Sequence, residues 1–245
     1  MYAVNPEPDE GPESQQQGVA PMTTRTTSRT EPRSRLSRER VLRAAIAHAD
    51  VGGLEAVTMR RLAEGLGVAP MALYRHVANR DDLIDGLVDI AFYEIELPVA
   101  GADWKTAMRQ RAISLRDVLL RHRWAIGLMD ARANPGPANL RHHDAVIGNL
   151  RAAGFDMAMV AHAYSLLDGY IYGFALTKTN LPFDASEKVA EVAQSMLEPF
   201  PVNEYPNLVA FISEHIVKPG YDFGDEFEYG LDVILDGLER ARDTA

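Results

Sequence analysis

The stretch GVAPMALYRHVANRDDL, from Gly67 to Leu83, decides how this chain is interpreted. It follows a short amphipathic segment, MRRLAEGL, which Thr58 is placed to cap, and Gly67 supplies the turn after that segment. Pro70 then stands in the first turn of a new helix, where the missing N–H of proline is no loss. Two short helices joined by a glycine turn predict a helix-turn-helix motif in an all-α protein.

The exposed side of the third helix combines apolar, aromatic and basic residues, while Leu73 and Val77 are expected to hold it to its module. Tyr74 and His76 can donate to phosphates, and Arg75 could reach a guanine edge or a phosphate. The residues expected to contact DNA are Thr58, Arg60, Pro70, Met71, Ala72, Tyr74, Arg75, His76 and Arg80. The other interpretation of these residues is a solvated helix surface.

The basic charge of the chain is concentrated around this motif. Residues 25–80 contain eleven arginines and five acidic residues, a net charge of +6, whereas residues 1–24 carry −4 and residues 81–245 carry −12. This segregation indicates a nucleic-acid partner for the N-terminal part only. Residues 1–34 are rich in Pro, Gln, Thr and Ser, so we expect a disordered tail whose arginine-rich end is either solvated or in contact with phosphates.

The rest of the chain has helical spacing and no run with the period of a strand. Asn79, Asp103, Asp156 and Ser186 are placed to cap helices, and Gly154 to stop one. We expect helices near 103–121, 124–131, 138–153, 156–179, 186–197, 206–217 and 225–242. The sequence thus predicts a three-helix N-terminal module and a larger helical domain, with about 9 to 11 helices in all.

One apolar segment, Met157 to Thr177, is long enough to span a bilayer, but His162 and Asp168 lie inside it. An Asp at the centre of a membrane costs about 2.5–3.5 kcal/mol, so we expect a buried or interface helix and no membrane partner. The chain has no cysteine, which excludes disulfides and thiolate metal sites. We expect a cytoplasmic protein.

Several polar side chains fall on apolar stripes of the predicted helices, as the wall of a ligand pocket requires. The candidate pocket residues are Met108, Arg111, Leu115, Met129, His143, Ile147, Tyr164, Asp168 and Tyr172. His143 is in register with Leu140 on helix 138–153. Each polar member has another interpretation: Arg111 pairs with an internal acid, His143 is a satisfied core histidine, or Asp168 is a hydrogen-bonding group at a dimer interface.

Residues 37–96 resemble the DNA-binding region of the tetracycline-repressor (TetR) family. The family pattern T-x-R-x-L-A-x-x-L-G-V matches Thr58 to Val68, L-Y-x-H-V matches Leu73 to Val77, and N-K/R-x-x-L matches Asn79 to Leu83. A weaker similarity to the C-terminal domain of the tetracycline repressor continues to about residue 242.

The resemblance implies a homodimeric regulator, most commonly a repressor, that binds a palindromic operator and is released by a small-molecule effector. It implies a DNA-binding domain at 35–82 and an effector-binding and dimerisation domain at 83–245. The helices near 156–179 and 225–242 would form the dimer's four-helix bundle.

The tetracycline-binding residues of that repressor do not carry over. Where it uses His, Asn, Phe and His, this chain has Glu96, Arg111, Leu115 and Met129. This difference argues against a magnesium–tetracycline effector. Arg111 leaves room for an anionic or carbonyl-bearing effector, a hypothesis that fails if a buried salt bridge occupies its guanidinium.

Two other functions compete with this interpretation. A helical metal-dependent enzyme would need inward-facing ligands, but no H-E-x-x-H motif or inward E-x-x-H pair is present, so we expect no catalytic residue, metal or cofactor. The second is a DNA-binding regulator controlled by a partner protein. A cavity of about 300 Å³ or more would favour a small-molecule effector instead.

Overall fold

The computed structural model describes residues 35–99, 101–129, 131–181 and 203–244, together with Val192, Ser195 and Pro201. The described residues form helices, turns and loops without a strand, which confirms the all-α prediction. The expected N-terminal tail and the Ser186 cap lie outside the described residues. Within the described part of the chain, no helix has the length and apolarity needed to cross a membrane.

Three helices form the N-terminal module: α1 (Arg38–Gly52), α2 (Met59–Leu66) and α3 (Pro70–Leu73). The side-chain oxygens of Ser37 and Thr58 cap α1 and α2, each accepting a 3.2 Å hydrogen bond from the backbone N–H three residues on. Gly67 joins α2 to α3 at φ +66°, a left-handed conformation that costs glycine little. These caps and this turn confirm the predicted motif.

The helix α4 (Arg80–Tyr93) connects this module to the rest of the chain. Asn79 caps it by accepting a 2.8 Å hydrogen bond from the N–H of Asp82. One side of α4 is apolar and buried, and its other side carries four aspartates: Asp81, Asp82, Asp85 and Asp89.

The longer helices of the second part are α5 (Trp104–Arg121), α6 (Pro137–Ala152), α7 (Met157–Asn180) and α9 (Glu226–Thr244). A short helix α8 (Pro206–Phe211) continues as a π-helical turn to Ile216. The predicted caps Asp103 and Asp156 are confirmed, since each accepts a hydrogen bond from a backbone N–H in the first turn of its helix, at 2.9 and 2.8 Å. Helix α5 packs between α7 and α9.

The predicted helix 124–131 is wrong. Only one turn of 3-10 helix, Arg123–Ala125, follows α5. Ile126 is extended at ψ 121°, and Gly127 has φ +84°, so the backbone leaves the helical region at both positions. The segment after α5 is therefore a loop that lies beside α7.

The predicted register of α6 is also wrong. Leu140 is 57% exposed, whereas His142 is fully buried and His143 only half-buried. The contact that fixes the register comes from α4, where the Asp89 carboxylate accepts hydrogen bonds from the N–H groups of Ala138 and Asn139 at 2.8 and 3.0 Å. Asp89 thus caps α6 from another helix.

Gly136 makes this cap possible. A Cβ at Gly136 would lie 2.2 Å from Cγ of Asp89, so a side chain there would displace the carboxylate. Pro137 then occupies the first position of α6, where its missing N–H is tolerated.

Candidate functional site

The segment Pro70–Val77, which we call the recognition turn, is held to the module by two buried side chains. Leu73 and Val77 are 0% and 1% exposed. The N–H groups of His76 and Val77 both donate to the Leu73 carbonyl, at 2.8 and 3.0 Å. The α-helix proper ends at Leu73, so Tyr74, Arg75 and His76 lie on a turn that continues it and not on a longer helix as predicted.

The predicted DNA contacts lie mostly at the surface. Met71 is 73% exposed and Tyr74 is 46% exposed, although both are large and partly apolar. The other exposed members are Thr58, Arg60, Pro70, Arg75 and Arg80, and the half-buried ones are Ala72 and His76. Two of these arginines have partners: Arg60 pairs with Glu64 at 3.1 Å and Arg80 donates to the Leu54 carbonyl at 3.2 Å.

Arg38 holds the recognition turn in place, a role that sequence reasoning missed. Its guanidinium donates to the His76 carbonyl at 2.9 Å and to both Asp82 carboxylate oxygens at 3.0 and 2.7 Å. Asp82 also accepts from the N–H of Ala78 at 2.7 Å. The hydrogen bond from Arg38 is the main cause that lowers the pKa of Asp82. Arg38 therefore ties the first turn of α1 to the recognition turn and to α4.

A buried polar cluster lies inside the second part of the chain. The Arg111 guanidinium, 2% exposed, contacts Asp168 on α7 at 2.5 Å and Nε2 of His142 on α6 at 2.9 and 3.3 Å. Because a guanidinium can only donate, Nε2 of His142 accepts and the ring is neutral. Burial and the positive charge of Arg111 lower the pKa of His142 to about 3, in agreement with a neutral ring.

Arg111 is thus occupied by a buried salt bridge, and the hypothesis that it receives an anionic or carbonyl-bearing effector is wrong. Burial, the largest single effect, lowers the pKa of Arg111, but the charge and hydrogen bond of Asp168, with smaller contributions from Tyr164 and Tyr172, together raise it. The interpretation of Arg111 as the partner of an internal acid holds. His143, in turn, hydrogen-bonds through Nδ1 to the Tyr164 hydroxyl.

A cavity of about 400 Å³ lies between α7 and the loop after α5. Its wall is largely apolar and consists of Ile126, Gly127, Ala131, Tyr172, Gly173 and Leu176. Of the predicted pocket residues only Tyr172 lies there; Met108, Leu115 and Met129 are buried in the packed core, and Ile147 and Tyr164 are half-buried elsewhere. Two small residues in the sequence could have indicated this cavity wall: Gly127 in the loop and Gly173 beside Tyr172.

The cavity wall continues directly into a contact with α4. Arg132, next to Ala131, donates to Asp85 at 2.5 Å and to Asp81 at 3.4 Å. The hydrogen bond with Asp85 raises the pKa of Arg132. A displacement of the cavity loop would therefore pull on the first turns of α4, which begins three residues after the recognition turn.

The outer faces of α7 and α9 carry apolar side chains that the described residues leave exposed. Leu166, Leu176 and Val233 are 53%, 50% and 53% exposed, and Tyr229 is 73% exposed. Small residues accompany them on α7: Ala158, Ala161, Gly169 and Gly173. Such a surface, apolar and shallow, suits close contact with another helix.

Comparison with known proteins finds two family models in the chain. The model described as "Bacterial regulatory proteins, tetR family" matches residues 41–87, and "Tetracyclin repressor-like, C-terminal domain" matches residues 97–242. The HTH-type transcriptional repressor DrrR1 of Streptomyces coeruleorubidus is 32% identical over 219 residues, which cover 85% of this chain and 79% of that protein. The class A tetracycline repressor of Escherichia coli is 31% identical, covering 85% and 93%.

Solved structures agree. The TetR family protein ActR of Streptomyces coelicolor in complex with actinorhodin matches with a TM-score of 0.70 and 30% identity, over 85% of this chain and 97% of that one. A variant TetR of Acinetobacter baumannii in complex with minocycline matches with a TM-score of 0.64 and 26% identity, over 85% and 96%. The chain therefore belongs to the TetR family of ligand-responsive, DNA-binding transcriptional repressors, which are not enzymes.

Proposed function

We propose that this repressor is released from its operator by a largely apolar small molecule that binds the cavity beside Tyr172. The observation that carries the proposal is the cavity itself, whose volume of about 400 Å³ lies within the range of small-molecule sites. Its wall has no charged residue within the described part of the chain. The related structures of ActR and of the Acinetobacter baumannii TetR variant hold actinorhodin and minocycline, so a small-molecule ligand has precedent in the family.

The alternatives fit less well. Arg111 is already paired with Asp168, and Met129 is 1% exposed, so the positions aligned with tetracycline-binding residues offer no ready set of ligands for a magnesium–tetracycline complex. A regulator controlled only by a partner protein would not need an apolar cavity of this size.

The test is release of labelled operator DNA, taken from the region upstream of the protein's own gene. Actinorhodin and minocycline, each with and without Mg²⁺, serve as probes. We expect at least one of the two probes to release the DNA without Mg²⁺. Ala131→Leu, which fills the cavity, should raise the probe concentration for half-release about tenfold or more, a loss of about 1.4 kcal/mol of ligand binding.

The matched control is Gly148→Leu on the outer side of α6, where a side chain meets open space. It should leave release unchanged, and neither variant should alter the Kd for DNA without probe. Release that needs Mg²⁺, or an unchanged response in Ala131→Leu, would contradict the proposal.

We further propose that the recognition turn reads the operator in the major groove. Arg75 would contact a guanine edge, Met71 and Ala72 a thymine methyl, and Tyr74 and His76 phosphates. Thr58, Arg60 and Arg80 flank the turn and would contact the DNA backbone. Residues 35–82 form the DNA-binding domain in this proposal and residues 83–245 the effector and dimerisation domain, working in the cytoplasm.

The homodimer would form through α7 and α9. The exposed side chains of Leu166, Val233 and Tyr229 would be buried against the same face of a second copy, as a two-fold interface requires. Leu166→Glu places a charge at this face and should give a monomer in sedimentation that no longer binds a full operator. Val51→Glu, at a 92% exposed position on α1, is the control and should stay dimeric. A dimeric Leu166→Glu protein would rule out this interface.

A further inference from the structure

A buried histidine joins the DNA-binding module to the second part of the chain. His122 follows α5 and is 3% exposed. Its Nδ1 lies 2.7 Å from Oδ1 of Asp50, in the last turn of α1, and its Nε2 lies 3.1 Å from Oε2 of Glu94, at the end of α4. Three helices that are far apart in sequence therefore meet at one ring.

Both ring nitrogens of His122 face carboxylate oxygens. Ionised carboxylates only accept hydrogen bonds, and a neutral imidazole has a single N–H. A ring whose two nitrogens both face carboxylate oxygens satisfies both only as the imidazolium, which donates twice. Two neighbours reinforce the site: Nε1 of Trp124 donates to Asp50 at 2.7 Å, and Arg121 pairs with Glu94.

The contact of His122 with Asp50 and Glu94 lies where it can restrict the orientation of the DNA-binding module. At the other end of α1, Arg38 ties the module to the start of α4. Asp50 is twelve residues further along α1, about 18 Å at 1.5 Å per residue. Between these ends α1 packs directly against α4, where Leu42 lies against Gly86. The contact at His122 adds a second attachment at a distance, which fixes the angle of the module.

We propose that the Asp50–His122–Glu94 bridge is a positioning device that sets the separation of the two recognition turns in the dimer, and so the half-site spacing that the repressor accepts. The proposal rests on the dimeric operator binding described above. In a dimer held together at its second domains, the angle of each module determines where its recognition turn meets the DNA. If the angle of the module is fixed, operator affinity depends strongly on the half-site spacing. If the module can rotate, the repressor tolerates other spacings.

The experiment uses the full-length dimer and a palindromic site selected by the wild-type protein from random duplexes. Kd is measured on this site and on versions with one base pair inserted or removed at the centre. We expect the wild type to lose at least about tenfold on the altered sites. His122→Gln, which is neutral and cannot donate as an imidazolium does, should reduce that loss at least about threefold.

Three further variants separate loss of the bridge from general damage to the fold. Asp50→Asn, at a partly exposed carboxylate, should relax the spacing in the same way. Adding Asp50→Asn to His122→Gln should not relax it further, because His122→Gln already removes the contacts with both Asp50 and Glu94. Arg75→Ala, in the recognition turn, should weaken binding to all three sites while keeping their ratio.

An unchanged spacing ratio in both His122→Gln and Asp50→Asn, with thermal unfolding still cooperative, would overturn the role of the bridge. If the wild-type protein selects no palindromic site at all, the operator-binding function fails together with this proposal.

Discussion

The helix caps of the DNA-binding module and the buried pair in the core around Arg111 differ in the distance along the chain over which their contacts act. In the module, Ser37, Thr58 and Asn79 each bind a backbone N–H three residues along the chain. In the core, Arg111 and Asp168 are 57 residues apart and meet in the interior. The helix caps can be predicted from residues that are neighbours in the sequence. The Arg111–Asp168 pair forms only once three helices have packed together.

The largest expected effect breaks the long-range contact. Asp168→Leu leaves the Arg111 charge buried without its carboxylate, which should lower the free energy of unfolding by about 3–5 kcal/mol in urea titration. Asp168→Leu combined with Arg111→Met removes both charges and should recover most of this loss. A loss under about 1 kcal/mol in the single variant would mean that the pair does not hold α5 to α7.

Removing an apolar anchor tests the module by the same measurement, the free energy of unfolding in urea. Leu73→Ala empties a fully buried position beneath the recognition turn and should cost about 2–5 kcal/mol. Operator binding should weaken as well, because the turn loses its support. Met71→Ala, at a 73% exposed position, is the control and should leave the urea midpoint nearly unchanged. Equal destabilisation by both variants would refute the assignment of Leu73 as the anchor.

The neutral histidine of the core should appear in the pH dependence of stability. The pKa of His142 is about 3 in the folded chain against an ordinary 6.5, so the unfolded chain takes up a proton that the folded chain refuses. Stability is therefore complete above pH 6.5 and falls as the pH decreases toward 3, by up to about 1.4 kcal/mol per pH unit.

His142→Gln keeps an acceptor for Arg111 but cannot titrate. Its unfolding free energy should fall by about 1–2 kcal/mol less than that of the wild type between about pH 6.5 and pH 5, as measured by urea titration at each pH. His162→Gln, at an exposed position on α7, should follow the wild-type curve. Parallel curves for all three proteins would show that His142 is not held neutral.

Much of the module could be predicted because its signals are local. Gly67, the caps and the apolar anchors Leu73 and Val77 all appear in the structure where the sequence placed them. The register of α6 could not be predicted, because the helix faces that contain His142 and His143 have the same spacing of apolar residues. The contact from Asp89 on α4, which selects one of these faces for burial, is not visible in the sequence of α6. The cavity beside Tyr172 was missed for a related reason: it lies beside a loop for which the sequence predicted a helix.

The smallest stability effect, with a larger effect on function, is expected at Arg38. Its ion pair with Asp82 is partly exposed, so Arg38→Met should cost no more than about 1 kcal/mol of stability. Operator affinity should fall several-fold, because the His76 carbonyl and α4 are no longer tied to α1. Arg43→Met, which breaks an exposed pair with Glu39 on α1, is the matched control for the urea and binding measurements. Similar affinities for the two variants would remove the special role of Arg38.

The most direct test of the central claim, that the recognition turn binds the operator, is a salt titration of operator affinity for the wild type and for Arg75→Ala. Arg151→Ala, an exposed arginine at the end of α6, is the control. We predict that Arg75→Ala weakens operator binding by about 1–3 kcal/mol and removes most of the preference over random DNA, while Arg151→Ala changes neither. Equal affinities and equal salt slopes for all three proteins would contradict the assignment of the recognition turn.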